Sequence, residues 1–311
     1  MFAFQFKSYG PNEVIIINEN VPKPVPSPNQ VLVEVHAASL NPVDKSIMAG
    51  YLKEMVHLPA TLGGDFSGVV VEVGEAVTDF KKGDKVYGQA IILNGGSGSF
   101  AEFVAANAAN TAYLPKRSDF IAAASLPLAG VSALQAIEEH IKLKAGQKIL
   151  IHGGAGGIGS IAVQIAKSLG GFVTVTVSAK DREYAKKLGA DKVIDFKRET
   201  FEDILKDYDA VFVTASGDIT NRSFRVLKKG GTLVSMLTPP DQELAKKYNV
   251  TAIAQVTNTN TQKLNRLAEL VNSGIIKPQI DKIFPLNKTN EALKHLSEAH
   301  PRGKVVIKIK D

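Results

Sequence analysis

An α/β protein is predicted, a doubly wound parallel sheet set into a β-rich domain, on three observations. Short β-branched runs dominate the chain up to about Lys116 without helical rhythm, strands and helices alternate from Lys148 to Gln255, and a glycine loop joins the first strand of that alternation to its first helix.

In the first region Glu13 to Ile17, Gln30 to His36, Gly68 to Val73 and Lys85 to Tyr87 read as strands, separated by Gly, Pro and Asn. Ser118-Asp119 then offers a helix cap to an Ala-rich apolar stretch that runs to Ile141. The alternating region supplies strands at Lys148 to His152, Phe172 to Val177, Lys192 to Ile194, Ala210 to Thr214, Thr232 to Met236 and Val250 to Gln255. Helices fit between them at Gly157 to Leu169, Arg182 to Leu188, Phe201 to Lys206 and Asn221 to Leu227. Six such strands make a complete dinucleotide-binding fold, not half of one. Amphipathic helices near Thr261 to Asn272 and Asn287 to Ala299, and a strand Lys304 to Ile309, then return the chain to the first domain. The expected division is 1–120, 121–257 and 258–311, the first and last segments forming one domain around the middle one.

Composition narrows the function classes. With 311 residues, 44% of them hydrophobic, the chain can build two cores, and with 22% charged residues and no long apolar run it reads as soluble. Met1 to Lys7 alternates like a strand and lacks the features of a signal peptide, so the cytoplasm is the expected compartment. The absence of cysteine excludes disulfides, thiolate zinc sites, iron–sulfur clusters and a cysteine nucleophile. The net charge of +6 comes from scattered lysines, which suits a solvated basic surface around an anionic ligand better than a nucleic-acid interface.

The chemistry is carried by Gly153-Gly154-Ala155-Gly156-Gly157-Ile158-Gly159, which follows the strand Lys148 to His152 and opens an apolar-periodic helix from Ser160. A lone G-x-G-x-x-G is a weak signal. Strand before, helix after and further βα units make it the Rossmann fingerprint, with Gly154 expected at the tight turn, Gly156 under the pyrophosphate and Gly159 at the helix–strand contact. The helix start offers unpaired N–H groups and a positive dipole end to an anion. A site for NAD usually ends the second strand in an acid that binds the ribose 2′-hydroxyl. Here Phe172 to Val177 runs into Ser178-Ala179-Lys180-Asp181-Arg182, and a hydroxyl with two cations suits a 2′-phosphate, so NADPH is the expected cofactor. Which of Lys180 and Arg182 carries the phosphate is left open, and Asp181 reads as a helix cap.

At these residues the chain resembles the medium-chain dehydrogenase/reductase superfamily, in its zinc-free quinone oxidoreductase branch. The resemblance covers nearly the whole chain and rests on five blocks in order: Asn41-Pro42-Val43-Asp44, Pro59 to Gly74, Phe80 to Gly88, the glycine loop, and Gly303-Lys304-Val305-Val306. It implies a GroES-like β-rich catalytic domain built from the first and last segments, and a substrate site in the cleft between that domain and the Rossmann domain. Zinc-dependent members use a Cys, a Gly-His-Glu run and a later Cys. This chain has Asn41, Gly63-Gly64-Asp65 and no cysteine, so no metal site is expected.

The resemblance further implies that Asn41 lies at the nicotinamide end, that Ser132 approaches the cofactor, and that Ala215, Ser216 and Leu237 line it. Tyr51 is the nearest phenol to the Asn41 segment and is a candidate proton donor or wall residue. Ser46 and Met48 stand where related quinone reductases often carry an aromatic residue and an Arg. Phe196 replaces a Tyr and lacks its hydroxyl. His152 reads as a structural hydrogen-bonding residue beneath the loop. The function implied is NADPH-dependent hydride transfer to a quinone or an α,β-unsaturated carbonyl, by a homodimer. The alternatives are an NADPH-binding sensor or RNA-binding relative, and a zinc-free enoyl-thioester reductase.

Overall fold

The computed structural model describes residues 1–10 and 16–310. Eight strands come first: β1 (Ala3–Phe6), β2 (Ile16–Asn18), β3 (Gln30–Ser39), β4 (Ala60–Thr61), β5 (Asp65–Val73), β6 (Lys85–Gln89), β7 (Phe103–Asn107) and β8 (Thr111–Tyr113). The alternating region gives β9 (Lys148–His152), β10 (Phe172–Val177), β11 (Lys192–Asp195), β12 (Tyr208–Val213), β13 (Leu227–Ser235) and β14 (Thr251–Ala254). β15 (Ile280–Pro285) and β16 (Lys304–Lys308) close the chain. The part of the expected strand Glu13 to Ile17 that precedes Ile16 lies outside the described residues.

The helices are α1 (Pro42–Met48), α2 (Phe120–Ala124), α3 (Pro127–Leu134), α4 (Gly157–Ser168), α5 (Arg182–Lys187), α6 (Phe201–Ile204), α7 (Ile219–Arg222), α8 (Gln242–Tyr248), α9 (Thr261–Asn272) and α10 (Thr289–Glu298). The Ala-rich stretch after Asp119 is not one helix. Asp119 accepts from the Ala122 N–H and caps α2, Pro127 opens α3, and a π-helical turn, Gln135–Ile141, completes the run. Proline lacks the N–H that a continuous helix needs at that point. Asn221 to Leu227 likewise divides, into the end of α7 and a 3₁₀ turn, Ser223–Val226. None of the described helices is long and apolar enough to cross a membrane.

Two compact units result. The first comprises Met1–Leu128, Thr259–Gly274 and Pro278–Asp311; the second comprises Ala129–Asn258 and Ile275–Lys277. The first boundary therefore falls eight residues later than expected, at 128/129. The reason is that α2 belongs to the first unit: Ala124 packs with Ala37 of β3 and Val306 of β16, the Ser67 hydroxyl of β5 donates to the Phe120 carbonyl at 2.6 Å, and Asp65 accepts from the Leu128 N–H at 3.0 Å.

The first unit is built on a sheet in the order β15-β16-β3-β5-β6-β8, with β7 also pairing β3, and a second, three-stranded sheet β2-β1-β4. C-terminal β16 lies antiparallel to β3, pairing Val306 with Ser39. Alternation along β3 sends Val31, Val33 and Val35 into one core with Phe66, Val86 and Val104. The second unit is a six-stranded parallel sheet, β11-β10-β9-β12-β13-β14. This order reverses direction between β9 and β12, the switch point at which doubly wound sheets bind ligands beyond the carboxyl ends of their strands. The central strands read as continuous apolar runs because both faces are covered: Ile149, Leu150 and Ile151 are fully buried.

Candidate active site

In the second unit the registers align the carboxyl ends of the strands. Asp195 of β11 stands opposite Val177 of β10, Thr176 opposite His152 of β9, His152 opposite Val213 of β12, and Val213 opposite Ser235 of β13. The residues that leave these ends are the glycine loop, Ser178 to Arg182, Thr214 to Ser216, and Leu237. The fold thus gathers the predicted Gly154, Ala155, Gly156, Gly157, Ile158, Gly159, Ser178, Lys180, Arg182, Ala215, Ser216 and Leu237 along one edge. Leu237 is 56% exposed there.

The loop corrects one expectation. The tight turn is made by Gly153, whose φ of 76° favours glycine; a β-carbon there would also stand 2.6 Å from the Thr214 hydroxyl. Gly154 instead lets the chain pass close to Val175 of β10. Gly159 lets α4 pack closely against the loop, since a β-carbon would lie 2.1 Å from the Gly153 carbonyl oxygen. Gly156 caps α4, and the nearest atom to a β-carbon there is the Gly153 carbonyl oxygen at 3.6 Å, so a methyl group has room.

Thr214, which sequence reasoning missed, donates its hydroxyl to the His152 carbonyl at 2.7 Å and braces the loop from β12. His152 is fully buried, with its ring nitrogens 3.0 Å from the Thr176 hydroxyl and 3.1 Å from that of Ser223. Burial, helped by the Arg222 charge, pushes its pKa down to about 3, so it is a neutral structural residue.

Beyond β10 the predicted phosphate readers are partly engaged. Ser178 donates to Asp181 at 2.5 Å, and the Arg182 guanidinium pairs with Glu199, whose carboxylate also accepts from the Asp195 N–H at 2.8 Å. Lys180 is exposed. Ser132, on α3, is buried, with its hydroxyl 2.7 Å from that of Thr257 and its carbonyl accepting from Gln255.

In the first unit Asn41 belongs to a buried polar cluster at the start of α1. Its Nδ2 donates to Asp65 Oδ2 at 2.8 Å, its Oδ1 accepts from the Lys304 ammonium, and its N–H is capped by Asp44 at 2.7 Å. Lys304 also donates to the Leu40 carbonyl at 2.7 Å, and Ser39 donates to Asp65 at 3.1 Å. Burial pushes the Asp44 carboxyl up to about 7, with the Asp65 charge adding to the effect. Burial also raises Asp65 against the pull of Lys304, and lowers Lys304 against the pull of both acids. Tyr51 is placed elsewhere: 83% exposed past the far end of α1, beside a cavity of about 240 Å³ shared with Lys45, Ser46 and Met48. Asn41 and Tyr51 are thus separated by the length of that helix, about 10 Å. A larger cavity of the same unit, about 340 Å³ between β1, β4 and residues 55–59, holds none of the predicted residues.

Family models match in both units: an alcohol dehydrogenase GroES-like domain over residues 27–116 and a zinc-binding dehydrogenase domain over residues 188–307. The NADPH-dependent alkenal/one oxidoreductase of Arabidopsis thaliana is 36% identical over 99% of this chain and 79% of its own length. The chain belongs to the medium-chain dehydrogenase/reductase superfamily. Among solved members, the quinone oxidoreductase of Coxiella burnetii superposes with a TM-score of 0.92 at 36% identity, over 100% of this chain and 99% of that one. The Escherichia coli quinone oxidoreductase, solved with NADPH, gives 0.89 at 27% identity, over 99% and 100%. These similarities lie in the quinone and alkenal oxidoreductase branch.

The zinc implied by the name of one matching model does not fit these residues. No group of three His, Cys, Asp or Glu side chains among the described residues converges on a point, Gly64 brings no side chain, and both polar atoms of the Asn41 amide are committed, one of them to an ammonium.

Proposed function

We propose that the protein is an NADPH-dependent oxidoreductase that reduces a quinone or an α,β-unsaturated carbonyl without metal. One observation carries the reading: a glycine loop between β9 and α4, at the switch point of a complete six-stranded parallel sheet. The relatives named for alkenals and quinones add to it.

Bound NADPH supplies a hydride. An enone or quinone delocalises the resulting negative charge onto its oxygen, so the chain need mainly hold the two reactants in line and exclude water. The N–H groups at the start of α4 and its dipole receive the pyrophosphate, and Leu237, Ala215 and Ser216 line the cofactor. Asn41, held by Asp65 and Lys304, is proposed for the nicotinamide end, and Ser132 for cofactor contact once its bond to Thr257 opens. Tyr51 remains a candidate proton donor.

Loss of reduced-nicotinamide absorbance, followed with NADPH and NADH against one quinone, one enone and one enoyl thioester, tests this. Consumption of NADPH with the enone or quinone is expected. Turnover of the thioester alone reassigns the substrate, and tight NADPH binding without turnover favours a sensor. The Ser178–Asp181 pair favours a second reading of cofactor choice, because it holds a carboxylate near the strand end where a ribose 2′-hydroxyl would seek an acceptor. Faster turnover with NADH would select it.

A homodimer is part of the proposal. Among the described strands β14 pairs only with β13, and its outer edge is open to a second copy. Light scattering should give twice 33.3 kDa, and a species of single mass would end that part. A cytoplasmic location is proposed with it, to be checked by fractionation.

A further inference from the structure

The Asn41 amide is held in one orientation. An ammonium can only donate and an ionised carboxylate can only accept, so Lys304 fixes the oxygen of the amide and Asp65 fixes its nitrogen. The Lys304 ammonium faces three acceptors: the Leu40 carbonyl at 2.7 Å, Asn41 Oδ1, and Asp65 Oδ2 at 3.6 Å. Asp65 is held in turn by the Ser39 hydroxyl at 3.1 Å and the Leu128 N–H at 3.0 Å, and Asp44 holds the Asn41 N–H at 2.7 Å. Residues of β3, β5, β16 and α1 thus converge on one side chain.

That convergence decides what Asn41 can offer a ligand. Nδ2 carries two protons and gives one to Asp65, while the oxygen is taken up by the ammonium, so the group left over is an N–H donor. A free amide could turn and present its oxygen instead. This one cannot turn without breaking bonds to two buried charges. In the reaction proposed above, the β-carbon of an enone takes the hydride with its electron pair, the pair of the double bond moves to the carbonyl oxygen, and a proton from water completes the ketone as the cofactor leaves oxidised. Negative charge therefore collects on the acceptor oxygen, where a donor fixed in advance stabilises it without reorganising.

We infer that Lys304 and Asp65 are positioning residues for the reduction, locking the Asn41 amide as a hydrogen-bond donor to the acceptor oxygen. The inference rests on the placement of Asn41 at the nicotinamide end.

Two measurements test it on the wild type, Asn41→Ala, the double variant Asp65→Asn/Lys304→Met and the three changes together. The double variant removes the pair without leaving a buried charge unpaired, so it should fold. The first measurement needs no turnover: 4-nitrophenol is titrated against the NADP⁺-loaded protein and its ionisation followed by phenolate absorbance. In the wild type the phenol should ionise at a pH lower by about 1 than free in solution, and the variants should lose this effect. The second is steady-state reduction of a cyclic enone and a naphthoquinone. The double variant should lose about 10-fold or more in kcat on the enone with the KM for NADPH within about 2-fold, and lose less on the naphthoquinone, whose second carbonyl already spreads the charge. The triple variant should be no slower than Asn41→Ala, because the pair acts through the amide. Equal losses on both acceptors, or a further loss in the triple variant, would overturn the inference. Wild-type turnover without the nitrophenol effect ends this inference alone. The effect without NADPH consumption on either acceptor ends the reductase reading and leaves the donor in place.

Discussion

Asp44 is fully buried with its carboxylate bonded to the Asn41 N–H, and the charges that face it are Asp65 and Lys304. Because its folded pKa is raised, the folded state binds more protons than the unfolded chain between about pH 4 and pH 7. Stability from this group is therefore fully present below about pH 4 and is lost as pH rises toward 7, a cost of about 4 kcal/mol for three pH units. Asp44→Asn keeps the acceptor for Asn41 and removes the titration. Thermal unfolding from pH 5 to 8 should show the wild type losing stability relative to this variant; parallel curves would sink the assignment. Lys304 makes the opposite case. Lys304→Met leaves Asp65 buried without its cation and should cost about 3–5 kcal/mol, read as a lower denaturant midpoint. Asp44 and Asp65 could be read from the sequence as buried or turn-binding acids, but their partnership with Lys304 could not: Asn41 read as a cofactor residue and Lys304 only as part of a terminal motif. The partners lie 24 and 263 residues from Asn41, and only the pairing of β16 with β3 brings them together.

At the scale of the element, the glycine loop separates folding from binding. Gly159→Ala drives a β-carbon into the Gly153 carbonyl and should lower the melting temperature and abolish cofactor binding together. At Gly156 the structure has room, so Gly156→Ala should fold with a melting temperature within about 2 °C of wild type yet weaken NADPH at least about 10-fold, because the added methyl occupies the face the pyrophosphate approaches. Equal cofactor affinity in Gly156→Ala would show that the anion sits elsewhere. The loop, β9 and α4 could be read from sequence because a buried apolar strand, a run of glycines and a helical period follow one another without a gap. α8 and β15 could not. α8 is a short polar helix fixed by Asp241, which caps the Glu243 and Leu244 N–H groups, and β15 (Ile280–Pro285) is mostly exposed and takes its place from pairing with β16. The same limit applies to Arg182, which looked available in sequence because its partner Glu199 arrives from beyond the next strand.

For the whole molecule, the chain order matters as much as the two sheets. The first unit is not complete until its last strand is made, because β16 lies between β15 and β3 and carries Lys304 to the Asp65 cluster. A chain ending at residue 299 would leave residues 37–39 of β3 without their β16 partners, strip Val305 and Ile307 from the core they share with Phe4, Leu40 and Phe100, and leave Asp65 without its cation. The second unit loses nothing by this cut, since its strands and glycine loop lie within residues 129–258. Limited proteolysis of the truncated chain should therefore digest the first segment and leave a resistant fragment that spans β9 to β14. That fragment should retain affinity for 2′,5′-ADP and have no reductase activity. Survival of the first unit without β16 would show that its sheet closes independently of the C-terminus, and would assign Lys304 a role in the site alone instead of in the fold.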